Sequence, residues 1–494
     1  MIRITYATTT TNGIKGKMLN ALKGMYKSVK TKVRVNGDFT DTIFCPRGLK
    51  QGETCSPVIF SLFIHELTKD IIQNGKHGIQ LTPDLIQIMI LLFADDVALI
   101  SDTIIGLQTQ LDILFETSKK LDLVVNLDKS NIVVFRNGGY LGQREKWTFD
   151  GKPLIIVNAY KYLGVFLSTR LCFTSTFEDL ANRAKKCVIA ILRTLWSIGD
   201  HSPQLFFKLY DCQVQPILSY GAEVWGLTKN QEILERVHLF AIKRFLGVHS
   251  KTPRYLVYGD SGRYPIFIIS YCKCIKFWLK IVRMNSSRLV HKAYHMLLYL
   301  HMQNYKTWID QVKNVLFMYG FGYVWEAQGV GSEALFLKCF KERLIDCNKQ
   351  NWHASLESND IFRTYMLYKN DFVSESYTNI DNFWFRKALS RFRFGMTELR
   401  DSFLKFEKGA TLIDRTCPLC KSCNEDEMHF LLICPKYEFL RLKLLPIHIY
   451  SRTFVQFIHI MSNQSLELNV KLAEYVYKAL SHRQKMLIAN DQNQ

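Results

Sequence analysis

Over the first third of this 494-residue chain, apolar positions switch between helical spacing and simple alternation; beyond it the helical spacing persists almost to the end. Gly16–Val29 sets Met18, Leu22, Met25 and Val29 on one stripe with lysines on the other face, which predicts a helix. Thr31–Val35 then alternates, Asn36-Gly37-Asp38 is a strong hairpin turn, and Phe39–Phe44 continues the ribbon. Pro57–Ile72 reads as a buried helix, with Ile59, Phe63, Glu66/Leu67 and Asp70/Ile71 marking its two faces. Leu85–Phe93 and Val97–Ser101 are short apolar strands on either side of two carboxylates. Leu107–Lys120 is an amphipathic helix with Leu107, Leu111, Leu114 and Ser118 on one stripe, and Asn131–Phe135 and Tyr160–Leu167 are later strands. From about Thr169 the pattern is helical: Phe177, Ala181, Ala184, Val188, Ile191 and Leu195 form one long stripe, and Gln231–Leu246 forms another. Residues 265–410 read as further helices with aromatic faces, and a polar, frayed end is expected over Gln484–Gln494.

Charge narrows the choice of partner. Lys plus Arg total 64 against 44 Asp plus Glu, a net charge of +20, which favours a polyanion such as nucleic acid. An anionic membrane surface and a merely solvated basic face are the rival readings. The excess is concentrated early, because residues 1–50 hold ten basic side chains against Asp38 and Asp41 alone. Hydrophobic content of 48% describes a folded chain, and its length suits two to four units. Thirteen cysteines without a scaffold rhythm, after a polar, threonine-rich start, predict reduced thiols in the cytoplasm or nucleus and no secretion. The apolar run Leu85–Ile100 is too short for a membrane span and is interrupted by Asp95 and Asp96; Pro265–Met284 is broken by Lys273, Lys276 and Lys280. No membrane partner is expected.

Candidate chemistry centres on Phe93-Ala94-Asp95-Asp96. Two adjacent carboxylates between apolar strands need positive neutralisation if they are not fully solvated. A strand–turn–strand presenting acids at its tip suits a hard cation such as Mg²⁺ or Mn²⁺. The bland alternative is a solvated hairpin tip. Upstream stands Arg47-Gly48-Leu49-Lys50-Gln51-Gly52, then Ser56-Pro57 opening a helix, whose glycines let backbone approach a ligand closely. Downstream come Leu121-Asp122-Leu123-Val124-Val125-Asn126 with Lys129 and Ser130, then Tyr160-Lys161-Tyr162-Leu163-Gly164.

In this order and spacing the four blocks resemble the palm of reverse transcriptases. FADDVALIS with YKYLGVFLS is similar to the non-LTR (LINE-like) retrotransposon branch, whereas the retroviral metal hairpin usually has a tyrosine before its first aspartate. The resemblance implies an RNA-directed DNA polymerase using two-metal nucleotidyl transfer on an RNA template, a DNA primer or target, and nucleotides. Asp95 would be the principal metal ligand and Asp96 the secondary one. Arg47, Gly48, Gln51, Gly52, Ser56 and Pro57 would form the nucleotide and template block. Lys129 would lie near the leaving pyrophosphate, and Tyr162, Leu163 and Gly164 would support the primer end; core packing is the alternative for Tyr162 and Leu163. The family also carries an earlier palm strand with a metal-bridging aspartate, followed by an aromatic residue. Here MIRITYATTTTNGI stands in that place without any Asp or Glu, and fingers and an amino-terminal endonuclease have no counterpart in this chain. The palm is therefore expected to be catalytically incomplete as written.

Near the end, Cys417, Cys420, His429 and Cys434 give C-x₂-C-x₈-H-x₄-C, a pattern that can grip structural Zn²⁺ tetrahedrally. Cys423 is an alternative ligand, and a cluster of reduced cysteines in a small core is the metal-free reading. A similar ending occurs in the same retrotransposon proteins. The expected fold is α+β: a partial antiparallel palm with helices over 1–168, a helical thumb over 169–260, a helical connector over 261–410, a CCHC-type zinc module over 411–437 and a helical tail over 438–494. Two other functions compete with the polymerase: a non-catalytic nucleic-acid-binding remnant and a helical protein-interaction module.

Overall fold

The computed structural model describes residues 14–45, 48–81, 87–136, 138–359, 362–400, 415–446 and 452–492, and the chain divides into two compact units. One runs to Cys172 and includes Asn285–Asn304; the other joins Phe173–Met284 to Tyr305–Gln494. Residues 1–13 and Arg47 lie outside the described part, as do residues 85–86 of the expected strand Leu85–Phe93 and 411–414 of the expected zinc module.

In the first unit, α1 (Gly16–Tyr26) is followed by a ribbon of β1 (Lys30–Thr31), β2 (Arg34–Val35), β3 (Asp38–Phe39) and β4 (Ile43–Phe44). Asn36 and Gly37 both have positive φ, 50° and 101°, and close the ribbon as Val35 pairs with Asp38 and Lys30 with Phe44. The expected stripe holds at Val29, which is buried, and at Leu22, which packs beside it, but Met18 is 64% exposed and Tyr26, outside the stripe, is buried against Ile59 instead. α2 (Ser56–Asn74) carries Pro57 in its first turn, where the missing N–H breaks no helical bond. Its Ile64, Leu67 and Ile71 join a second core with Met89, Leu111, Leu114 and Trp147.

Pairs of strands surround that core. β5 (Ile79–Gln80) pairs with β6 (Gln87–Ile88), and β7 (Ile90–Phe93) pairs antiparallel with β8 (Asp96–Leu99). Next comes α3 (Ile104–Lys120), whose first turn is capped by the Thr103 side chain accepting the Gly106 N–H at 3.0 Å. The expected strand Asn131–Phe135 shortens to β9 (Asn131–Ile132), which pairs in parallel with β12 (Ile155–Ile156) after the small hairpin of β10 (Thr148–Phe149) and β11 (Lys152–Pro153). The expected strand Tyr160–Leu167 is instead a hairpin of β13 (Ala159–Tyr162) and β14 (Val165–Ser168). Among the described residues the strands thus pair two by two, one pair parallel, where one antiparallel sheet was expected. With pairs this short, side-chain packing on α2 and α3 holds the layer together, because an isolated two-stranded pair is marginal in water.

The second unit is helical. α4 (Thr174–Ile198) buries the expected stripe Phe177, Ala181, Ala184, Val188, Ile191 and Leu195, and stops at Gly199, whose φ of 70° continues no helix. α5 (Pro203–Leu209), α6 (Glu232–Leu246), α7 (Arg254–Ser261) and α8 (Ile266–Val282) follow; later come α9 (Phe383–Arg393) and α10 (Leu466–Gln492). Their apolar faces form one core that takes in Cys417, Phe430, Cys434, Tyr437 and Tyr475. Among the described residues no helix is long and apolar enough to cross a membrane.

Candidate functional site

The carboxylate pair sits where β7 turns into β8. Phe93 pairs with Asp96, so Ala94 and Asp95 form the two-residue turn, and Ala94 takes a left-handed φ of 53°. Ile90, Leu92, Val97 and Leu99 pack on the core, which leaves the Phe93–Asp96 pair on the other face of the ribbon. Asp95 and Asp96 are both exposed. Asp95 is therefore a turn residue and Asp96 the first residue of β8.

A second hairpin lies within electrostatic reach. Tyr162 and Val165 flank a turn in which Leu163 and Gly164 have φ of 47° and 83°. Burial raises the Tyr162 phenol above its ordinary range, and the charge of Asp96 raises it further. The YLG block is thus a hairpin tip, not the opening of a single strand. On the same hairpin, the Tyr160 hydroxyl donates to the Lys129 carbonyl at 2.9 Å. Asn126 holds that segment: its side chain accepts the Lys129 N–H at 3.3 Å, and its carbonyl accepts the Ser130 hydroxyl at 2.8 Å. The Lys129 side chain itself is exposed.

The glycine block is organised around a residue that sequence reasoning missed. Gly48 and Gly52 take φ of 92° and 84°, conformations that favour glycine. Ser56 donates its hydroxyl to the Lys50 carbonyl at 2.7 Å, and the Tyr26 oxygen lies 3.2 Å from it. Tyr26 also donates to Glu53, and burial first, then Glu53, raises its phenol. The ammonium of Lys50 lies 5.7 Å from the Tyr26 ring centroid. A tyrosine at the end of a lysine-rich helix carries no motif signal, which explains the omission. Among the described residues no hydrogen bond or ion pair joins Gln51 or Gly52 to Asp95.

In the helical unit, ligand atoms of Cys417, Cys420, His429 and Cys434 all lie within 4.8 Å of one another, with Cys417, His429 and Cys434 buried. The Cys420 sulfur is 3.4 Å from Nε2 of His429, whereas the Cys423 sulfur is 3.0 Å from Nδ1. The imidazole therefore separates Cys423 from the four-atom cluster. A tight turn shapes the first two positions: the Lys421 N–H donates to the Cys417 carbonyl at 2.9 Å, with Lys421 at φ 57°. The thiol of Cys434, then His429, pulls Cys417 down towards the thiolate form that metals require. Behind the cluster, buried Glu425 receives both Nε and NH2 of Arg483 at 2.7 Å, and the Tyr475 hydroxyl on α10 donates to the Phe430 carbonyl at 2.8 Å.

The family match with known proteins falls within the first unit. Residues 4–167 match the family described as reverse transcriptase (RNA-dependent DNA polymerase). The chain is 25% identical over 233 residues to the RNA-directed DNA polymerase from mobile element jockey of Drosophila funebris, covering 46% of this chain and 24% of that protein. It is 29% identical over 224 residues to the Retrovirus-related Pol polyprotein from type-1 retrotransposable element R2 of Popillia japonica, covering 44% and 35%. A longer match, 24% identical over 324 residues and 64% of this chain, is to a putative 115 kDa protein in type-1 retrotransposable element R1DM of Drosophila melanogaster, of which 27% is covered. The chain thus spans about a quarter to a third of the length of these relatives. The segment that builds the two hairpins and the glycine loop is a reverse transcriptase domain of the non-LTR retrotransposon type.

Proposed function

We propose that residues 1–168 serve as the metal-binding and primer-contacting part of an RNA-directed DNA polymerase palm. The observation that carries this reading is the exposed pair Asp95 and Asp96 at the β7–β8 turn, inside the segment 4–167 that matches the reverse transcriptase family. Neither aspartate forms an ion pair among the described residues, so their oxygens fit a hard cation. Bound Mg²⁺ or Mn²⁺ would activate the attacking hydroxyl and neutralise charge on the leaving pyrophosphate. Asp95 and Asp96 hold the ion; Lys129 stands at the phosphate side; Tyr162 with the Leu163-Gly164 turn supports the primer end. Arg47, Gly48, Gln51, Gly52, Ser56 and Pro57 shape the template and nucleotide side. RNA template, DNA primer or target, and nucleotides are the partners.

In the same reading the helices of 169–260 act as thumb and those of 261–410 as connector. Cys417, Cys420, His429 and Cys434 over 411–437 hold a structural Zn²⁺, and 438–494 close the module from behind. A donor set of three sulfurs and one nitrogen suits zinc better than a harder ion.

Residues 1–37 contain no carboxylate, and Asp38 is committed to its ribbon opposite Val35. Residues 1–37 therefore supply no bridging acid to the Asp95–Asp96 pair. The loss of one metal-bridging group removes several kcal/mol of transition-state stabilisation, about tenfold in rate for each ~1.4 kcal/mol. Primer extension on an RNA template with Mg²⁺ tests both points. The chain as written is expected to extend a primer at least about 10³-fold more slowly than a version carrying an upstream aspartate-bearing strand. Asp95→Ala should abolish synthesis by that extended version. Robust synthesis by the 494-residue chain would overturn the incompleteness argument, and synthesis that survives Asp95→Ala would overturn the metal assignment. Nucleic-acid binding without polymerisation is the second reading, favoured by the net charge of +20.

A further inference from the structure

The second unit holds a cleft of about 600 Å³ between α4, α5, α6 and α9. Six cations line it, Arg193, Lys243, Arg244, Arg386, Lys387 and Arg391, and no carboxylate does. Among the described residues none of the six has an acidic partner within 4.0 Å. Three are already tied to backbone: Lys243 donates to the Ser250 carbonyl at 2.7 Å and Arg391 to that of Gly247 at 3.0 Å. Arg386 donates to the carbonyls of Phe245 and His201, both at 3.2 Å, and to that of Ile380. Arg193, Arg244 and Lys387 make no such bond among the described residues. Burial depresses Arg386 to about 10 against the opposing charge of Asp381, and lowers Lys387, which Arg391 lowers further, so positive charge is held here at a cost that an anion would offset.

Aromatic rings share the cleft. Trp196 is 47% exposed, with Phe383 at 5.2 Å and 74° and His201 at 4.2 Å fixing its indole. Arg244 lies over Phe240 at 5.3 Å, and Arg386 over Phe245 at 4.2 Å. Guanidinium and ammonium groups without an ion pair, Arg244 over Phe240 and Lys387 4.8 Å from the Trp384 ring centroid, stand beside an exposed indole and match a phosphate next to a base, and the volume falls in the range of sites for small ligands. An acidic peptide would use the charge and leave the indole idle. In a duplex the base faces are stacked on their neighbours and unavailable to Trp196.

We propose that this cleft binds one unpaired nucleotide of a single-stranded nucleic acid, its phosphate on Arg193, Arg244 and Lys387 and its base against Trp196. The proposal is independent of the palm reading, because it uses neither the carboxylates nor polymerisation.

The test is fluorescence anisotropy of the full chain with a labelled 12-nucleotide single strand, the corresponding blunt duplex, and poly-glutamate as competitor. Trp196→Ala should weaken single-strand binding by about tenfold, as loss of one stacked base does, and leave duplex binding within about twofold. Arg244→Glu with Lys387→Glu should weaken single-strand binding further, with helix content unchanged by circular dichroism. Equal losses for single strand and duplex, no loss in Trp196→Ala, or displacement by poly-glutamate as efficient as by unlabelled single strand would overturn the proposal. If the charge-reversed protein fails to fold, Trp196→Phe decides, since it keeps a stacking face and should retain the single-strand preference.

Discussion

At the scale of single residues, position relative to one imidazole decides what a cysteine can do. Cys423 lies six residues before His429 and looks interchangeable with Cys420 in sequence, yet it contacts Nδ1 while Cys420 faces Nε2. In the zinc reading, Cys423 is then an orienting partner of a ligand. Cys417→Ser and Cys434→Ser should lose stoichiometric zinc in elemental analysis. Cys423→Ser should keep one zinc per chain and lose about 10–100-fold in affinity by chelator competition. Loss of all zinc in Cys423→Ser would show that the ligand set is different. A second residue-scale case is buried Glu235, which accepts from the Tyr258 hydroxyl and, at 2.9 Å, from the Ile266 N–H. Burial raises its carboxyl from 4.5 to about 7 and lowers neighbouring His238 from 6.5 to about 4. A raised acid gives stability that is complete below its unfolded value and lost as pH rises through about 7. A depressed histidine gives stability that is present above its unfolded value and lost as pH falls through about 4. Thermal melts should therefore show a maximum between these limits. Glu235→Gln should remove the decline from pH 6 to 8, on the order of 2 kcal/mol; an unchanged decline would rule out Glu235 as its source.

Elements show where local pattern suffices and where it misleads. α4 follows its stripe over all 25 residues because every stripe residue faces one core. The β13–β14 hairpin was hidden because YKYLGVFLS has no asparagine or aspartate at the turn and reads as one apolar strand. Leu163 nevertheless occupies the left-handed region that ordinary residues avoid, and Gly164 makes the two-residue turn possible. Gly164→Val should destabilise this hairpin by about 1–2 kcal/mol, and Leu163→Asn should be neutral or stabilising. Hydrogen exchange of the Tyr160–Ser168 amides reads this directly. Unchanged protection in Gly164→Val would mean the turn can re-form without a left-handed glycine.

For the molecule as a whole, buried charge ties distant parts of the helical unit together. Asp260, at the end of α7, receives the hydroxyls of Tyr365 and Tyr377 at 2.6 and 2.9 Å and Nε of Arg393 on α9 at 3.0 Å. NH2 of Arg393 also lies 3.2 Å from Glu375, which Lys369 neutralises from the other side. Arg393→Met fills similar volume yet leaves Asp260 without its counter-charge in the interior. A loss of about 3–5 kcal/mol is expected in denaturant unfolding. Arg393→Met combined with Asp260→Asn should recover part of it; no recovery would mean that the guanidinium acts through packing alone.

The sequence by itself determined the order of the palm blocks, the ribbon turn at Asn36-Gly37, the long stripe of α4 and the spacing of Cys417, Cys420, His429 and Cys434. Each is a local property: period, turn chemistry or ligand spacing operates within a few residues, where chain connectivity already holds the groups together. Tertiary structure decided that Tyr26 braces the glycine loop and that Cys423 stands behind His429. It also decided that six cations from three helices share a cleft that no carboxylate lines. Apart from the contact of Cys423 with His429, those outcomes join residues tens to hundreds of positions apart. Which of them meet is set by how apolar faces pack into a common core, and a charged or aromatic side chain carries no local mark of the neighbour that packing will bring to it.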